Sequence, residues 1–173
     1  LMATLDAQGH CNIFEITNEP TIKINNIIFT NGNTTSKGGA IYIKGNVTVN
    51  NCEFINNSAK STDSYGGAIA LKKGTVTVIN STFKDNYGDL GGAIGLNEGT
   101  VTVINSTFKD NTAAMGGAIF SSDNCYVYNS EFINNTAAET GSEITNMGNL
   151  NLHNSRFIDM NSTEKVLIFL TVG

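Results

Sequence analysis

Apolar and polar residues alternate one for one in short runs along most of the chain, as in Ile22-Lys23-Ile24, Val47-Thr48-Val49, Val76-Thr77-Val78, Val101-Thr102-Val103 and Leu150-Asn151-Leu152. The runs are rich in β-branched residues, and a period of two with one apolar side predicts short strands that bury one face. Nowhere do apolar residues recur three and four apart over ten positions. The intervals between runs are short and filled by Asn, Gly, Ser and Thr, so no crossover helix is predicted. The expected fold class is all-β.

The pattern repeats. Residues Gly74 to Asn86 (GTVTVINSTFKDN) recur unchanged from Gly99 to Asn111, 25 residues on. The tetrapeptide GGAI begins at Gly38, Gly66, Gly91 and Gly116, with a worn copy, GSEI, at Gly141. A phenylalanine closes each unit, at Phe29, Phe54, Phe83, Phe108, Phe132 and Phe157. About 25 residues is too short for a propeller blade of about 40 and suits one turn of a helix of parallel strands. The prediction is a single-chain, right-handed parallel β-helix of six to seven coils. Residues 1–173 form one domain, with 1–37 as an atypical first coil, 38–160 as regular coils and 161–173 as a closing strand or cap. With coils about 4.8 Å apart, the rod would be roughly 30 Å long.

Stacking turns each repeated residue into a column. Ile41, Ile69, Ile94, Ile119 and Ile144 share parity with Ile43, Leu71 and Leu96, and should fill one inner wall. The six phenylalanines should stack ring over ring. Asn26, Asn51, Asn80, Asn105, Asn129 and Asn154, each three residues before a phenylalanine, are expected to form a protected amide ladder at a strand corner. Asn57, Asn86, Asn111 and Asn135, three residues after, are expected to turn the chain out of the strand. Paired glycines before Ala-Ile suit a positive φ or close coil contact. They feed strands rather than helices, so they are not a phosphate loop.

Composition narrows the functional classes. The 45 Leu, Ile, Val and Phe residues are too many for a disordered tail. Ten Lys and Arg against fifteen Asp and Glu, a formal charge of -5, remove the basic footprint that nucleic acid or anionic lipid would need. No apolar run reaches membrane-spanning length, the longest late one being Val166 to Leu170. Cys11, Cys52 and Cys125 have neither framework nor metal-site spacing and are expected to be lone buried thiols.

Repeats that combine GGA[ILV] with FxxN along a β-helix resemble those of chlamydial polymorphic outer-membrane proteins and of adhesin-like surface proteins of methanogenic archaea. Here the matching residues are the four GGAI copies and FINN, FKDN, FKDN and FINN beginning at Phe54, Phe83, Phe108 and Phe132. LDAQGH, from Leu5 to His10 ahead of IFEI, is similar to the start of the archaeal repeats. The resemblance spans roughly residues 5 to 160. It implies an exported passenger at the cell surface, part of a larger chain, that holds or displays an adhesive face toward a glycan or protein of another cell. It supplies no catalytic residues and implies no cofactor or metal.

The competing expectation is a polysaccharide lyase or hydrolase, because Asp85 and Asp110, with Asp159 two coils on, occupy one column and stacked carboxylates serve such chemistry. The same column holds Asn31, Asn56 and Asn134, beside Lys84 and Lys109, which favours a solvated turn position. His10 and His153 lack a repeated nucleophile nearby. Between Asn57 and Gly66 about three extra residues should emerge as a loop, where Lys60, Asp63 and Tyr65 offer both charges and an aromatic ring. Outward Thr48, Thr77 and Thr102 form a polar stripe suited to glycan or protein contact. Seven N-x-[ST] triplets begin at Asn33, Asn46, Asn56, Asn80, Asn105, Asn134 and Asn161, a number that this composition produces by chance.

Overall fold

The computed structural model describes residues 1–62, 64–158 and 168–170. Every regular element among them is a β-strand, and every paired strand runs parallel to its partner. Each residue pairs with its equivalent one coil away: Phe29 with Phe54, Phe54 with Phe83, Phe83 with Phe108, Phe108 with Phe132 and Phe132 with Phe157. The chain is a parallel β-solenoid of about six turns. Asp63, Asp159 and Val166 lie outside the described residues.

Three rows of strands make up the wall. The phenylalanine row is a seven-stranded sheet of Ala3–Asp6, Ile27–Thr30, Glu53–Ile55, Thr82–Lys84, Thr107–Lys109, Glu131–Ile133 and Arg156–Ile158. The isoleucine and valine rows share an eleven-stranded sheet. They are joined because Ile41–Asn50 and Ile69–Ile79 run unbroken through both, whereas later coils split into Ile94–Leu96 and Gly99–Ile104, then Ile119–Ser121 and Asn124–Tyr128. The long coil between Phe54 and Phe83 takes up its extra length in two places. The segment before Gly66 holds most of it, and a bulge holds one residue, since Ile43 pairs with Leu71 but Lys44 with Lys73, leaving Lys72 over.

Alternation decides what is inside. Ile41, Ile69, Ile94, Ile119 and Ile144 are fully buried, as are Val76, Val78, Val101 and Val103. Phe29 to Phe132 are fully buried too, with adjacent rings 4.6–4.9 Å apart and within 8° of parallel. The rung spacing sets that separation and imposes stacking where free aromatic pairs often prefer edge contacts. Each buried ring contributes about 1.5 to 3 kcal/mol. Phe157 continues the stack, tilted 16° from Phe132, but is only partly buried.

Corners need residues that turn and residues that satisfy the backbone. Before the phenylalanine row the chain turns at Asn26, Asn51, Asn80, Asn105, Asn129 and Asn154, all left-handed with φ of 48–59°, a conformation asparagine tolerates better than most residues. These amides are exposed, which corrects the expectation of a protected column, although Asn51 donates to Asn26 at 2.7 Å and Asn154 to Asn129 at 2.8 Å. After the row, the left-handed turn falls on Asn31, Asn56, Asp85, Asp110 and Asn134. Asn57, Asn86, Asn111 and Asn135, one residue later, do not turn the chain as expected but point into the core.

There they build the buried ladder. Asn86 accepts the Asn57 amide at 3.0 Å, Asn111 that of Asn86 at 2.9 Å and Asn135 that of Asn111 at 2.9 Å. Each also donates back to the phenylalanine carbonyl of the preceding coil: Asn57 to Phe29, Asn86 to Phe54, Asn111 to Phe83 and Asn135 to Phe108. A second ladder runs through serine hydroxyls. Ser81, Ser106, Ser130 and Ser155 each accept the backbone N–H one coil back and donate to a carbonyl two residues before themselves. Cys52 takes the serine position, its thiol donating to the Ile24 and Asn50 carbonyls.

Candidate functional site: a polar groove at the first three coils

With the interior filled, recognition chemistry is confined to the outer surface. A concave surface follows the corner after the phenylalanine row, where short strands Asn33–Thr34 and Ser58–Ala59 pair. A hollow of about 350 Å³ is lined by Gln8, Gly9, Asn31, Gly32, Asn33, Asn56, Ser58 and Lys60. It runs into a second, of about 310 Å³, bordered by His10, Cys11, Asn12, Thr34 and Thr35. A third, of about 430 Å³, adds Glu15, Ser36, Lys37 and Tyr42.

One wall of the groove is held by an exposed ladder. Asp6 accepts the Asn31 side-chain amide at 2.9 Å and the Gln8 backbone N–H at 2.8 Å, and Asn31 accepts from Asn56 at 2.8 Å. The bond from Asn31, and then that from Gln8, hold the Asp6 carboxyl below its ordinary pKa. Asn33 donates to the Gly9 carbonyl at 3.1 Å and ties the first coil down. Burial, and then the charge of Glu15, push the Tyr42 hydroxyl up, so it stays a neutral donor at physiological pH. The groove offers amide and hydroxyl groups, with Lys60 and Lys37 as its cations.

Lys60 is exposed on the groove rim. Tyr65 is not a free tip: it is half-buried, its ring edge-on to Phe120 at 5.8 Å, with the Lys37 ammonium 5.2 Å over it. That contact reaches across two coils because Ala70 and Gly95 carry little or no side chain beside Phe120. Asp85 is an exposed and Asp110 a half-buried corner residue, each beside its own neighbour, Lys84 at 3.3 Å and Lys109 at 3.9 Å. His10 and His153 are exposed on the first and sixth coils. Cys52 and Cys125 are buried, but Cys11 is exposed, contrary to the expectation of three buried thiols. Among the described residues no three of His, Cys, Asp and Glu gather as a metal site.

The groove escaped sequence reading because it is made by backbone turns of three coils, at positions that look like ordinary loop residues. The only signal was the extra length before Gly66.

Residues 51–72 and 105–122 match the Chlamydia polymorphic membrane protein repeat. Both segments run from the corner before a stacked phenylalanine, Phe54 or Phe108, through the glycine pair of the next coil. Their asparagines three residues on, Asn57 and Asn111, are rungs of the buried ladder. No curated protein and no solved structure matches the chain.

Proposed function

We propose that this β-helix of the chlamydial polymorphic membrane protein repeat type is a non-catalytic, adhesin-like module at the cell surface, a rigid rod presenting its outer faces to a glycan or protein of another cell. The observation that carries the reading is the unbroken interior. Stacked phenylalanines and two hydrogen-bonded ladders occupy the core from coil to coil, so the rod is stiff and only its outer positions are open to a partner. The matched repeat is named for membrane proteins, which supports a surface location. The groove, rich in amides and hydroxyls, suits contacts with polar partners.

Binding of the purified chain to cultured cells and to a glycan array tests this reading. Saturable binding weakened by Lys60→Ala or Asn33→Ala supports it, and an empty screen with both the chain and a longer protein containing it overturns it. Incubation with pectin and other acidic polysaccharides tests the non-catalytic half. Unsaturated products that disappear in Asp85→Ala would establish a lyase instead.

A further inference from the structure

The outer face of the valine row sets its side chains in columns, because its strands pair parallel and in register. In strand Asn124–Tyr128 the alternation that buries Cys125 and Val127 completely turns Asn124, Tyr126 and Tyr128 outward. Register sets Tyr126 between Thr102 and Asn151, and Tyr128 between Ile104 and His153. The Tyr128 and His153 rings lie 6.3 Å apart, tilted by 44°.

The Asn124 amide beside the rings is held in place. Asn124 donates to Asp123 at 2.8 Å and accepts from Asn149 at 2.9 Å. From the coil of Thr75 to that of His153, the three outward columns carry no carboxylate, ammonium or guanidinium group. Two near-identical coils precede this one with Thr77 and Ile79, then Thr102 and Ile104, at the same places. Here both become tyrosine.

We propose that Tyr126 and Tyr128, flanked by His153 and the amides of Asn124 and Asn151, form a binding platform for an uncharged, flat-ribbon glycan such as a β-linked glucose or N-acetylglucosamine chain. It deepens the surface-contact reading above and rests on it for its purpose. Aromatic faces take the C–H faces of sugar rings, and neighbouring amides take the hydroxyl groups. The two rings stand two residues apart on one strand, about 6.6 Å, so a chain that covers both runs along that strand, across the rod. Little freedom is lost on binding because the rings stand on a paired strand. An acidic chain finds no lysine or arginine in these columns.

Titration of the full chain with cellohexaose and chitohexaose, followed by calorimetry and tyrosine emission, tests the platform. The chain has five tyrosines and no tryptophan, so two of its five emitters sit where the sugar would stack. Tyr126→Thr and Tyr128→Ile restore the residues of the preceding coils and keep the fold. Each should weaken binding about tenfold, Tyr87→Ala at a different corner should leave it unchanged, and polygalacturonate should not compete. No saturable binding of either oligosaccharide, or binding indifferent to both tyrosine variants, overturns the platform. Cell binding that persists without glycan binding removes this inference alone; loss of both removes the adhesin reading with it.

Discussion

The side-chain amide of Asn135 donates to a Glu143 carboxylate oxygen at 2.6 Å, and Glu143 is only 1 % exposed. In the four preceding coils the equivalent of Glu143 is Ala40, Ala68, Ala93 and Ala118, all fully buried. The substitution makes sense as an end to the asparagine ladder. The sequence has Met160 rather than asparagine three residues after Phe157, and methionine has no amide oxygen for the last rung. Glu143 reaches over from the glycine corner and supplies a carboxylate oxygen as the acceptor. Glu143→Ala should therefore destabilise by about 1 to 3 kcal/mol, the cost of leaving a buried donor unmet. Glu143→Gln, which keeps an acceptor, should cost less. Urea unfolding of the two variants decides it, and an alanine variant as stable as the parent would remove the capping role.

Gly92 and Gly9 separate two uses of glycine. A Cβ on Gly92 would lie 2.1 Å from the Gly117 carbonyl oxygen of the next coil, and the Gly92 φ is not left-handed. Gly9 is left-handed at 78°, and a Cβ added there would meet nothing within 4 Å. Gly92→Ala should then cost about 3 kcal/mol or more, the top of the overpacking range, because the opposing atom is backbone fixed in a ladder. Gly9→Ala should cost only the conformational strain, about 1 to 2 kcal/mol. Thermal unfolding of both variants orders them, and equal losses would contradict the close approach of coils.

Removing residues 74–98 joins Lys73 to Gly99 and deletes one coil while returning every column to register, since Gly74 and Gly99 are paired equivalents. The shortened chain should fold with strand-type circular dichroism and unfold cooperatively. A shift in midpoint reflects one lost coil interface, as expected for a quasi-one-dimensional array. A deletion about five residues shorter should fail, because it would drive polar corner residues into the phenylalanine and valine columns.

Much of this architecture was legible because a solenoid reports its tertiary contacts as sequence period: the 25-residue step is the pairing register, and Phe83 over Phe108 follows from it. The asparagine columns were harder. Two asparagines often stand side by side after the phenylalanine, as Asn56 and Asn57 do, and spacing alone cannot say which turns the backbone and which enters the core. The left-handed φ belongs to the first, so its neighbour faces inward. Glu143 was hidden for another reason: in sequence it is a blemish in GSEI, and only the path of the chain brings it to Asn135. The groove and the tyrosine platform depend on which outer positions of different coils become neighbours, information a residue pattern carries weakly when those positions are free to vary.

Cys125 makes the protein's stability sensitive to alkali. Complete burial pushes its thiol from the ordinary 9.0 up to about 12, since a thiolate there would lose its hydration without gaining a partner. Below pH 9 the thiol is protonated in both folded and unfolded chains and does not bias folding. Between about pH 9 and 12 the unfolded chain ionises first and the folded chain does not. The unfolded state then binds fewer protons, so stability falls as pH rises, with a slope approaching about 1.36 kcal/mol per pH unit from this one group. Cys52, also raised by burial, adds to the same trend. Cys125→Ala removes one titrating group, and although the smaller side chain lowers stability at neutral pH, its decline between about pH 9 and 11 should be visibly shallower than the parent's. Equilibrium urea unfolding at stepped pH measures the slopes. Parallel curves for parent and variant would mean that the Cys125 thiol ionises as readily in the folded protein as in the unfolded chain, which its position between Val101 and Leu150 in the valine row does not allow.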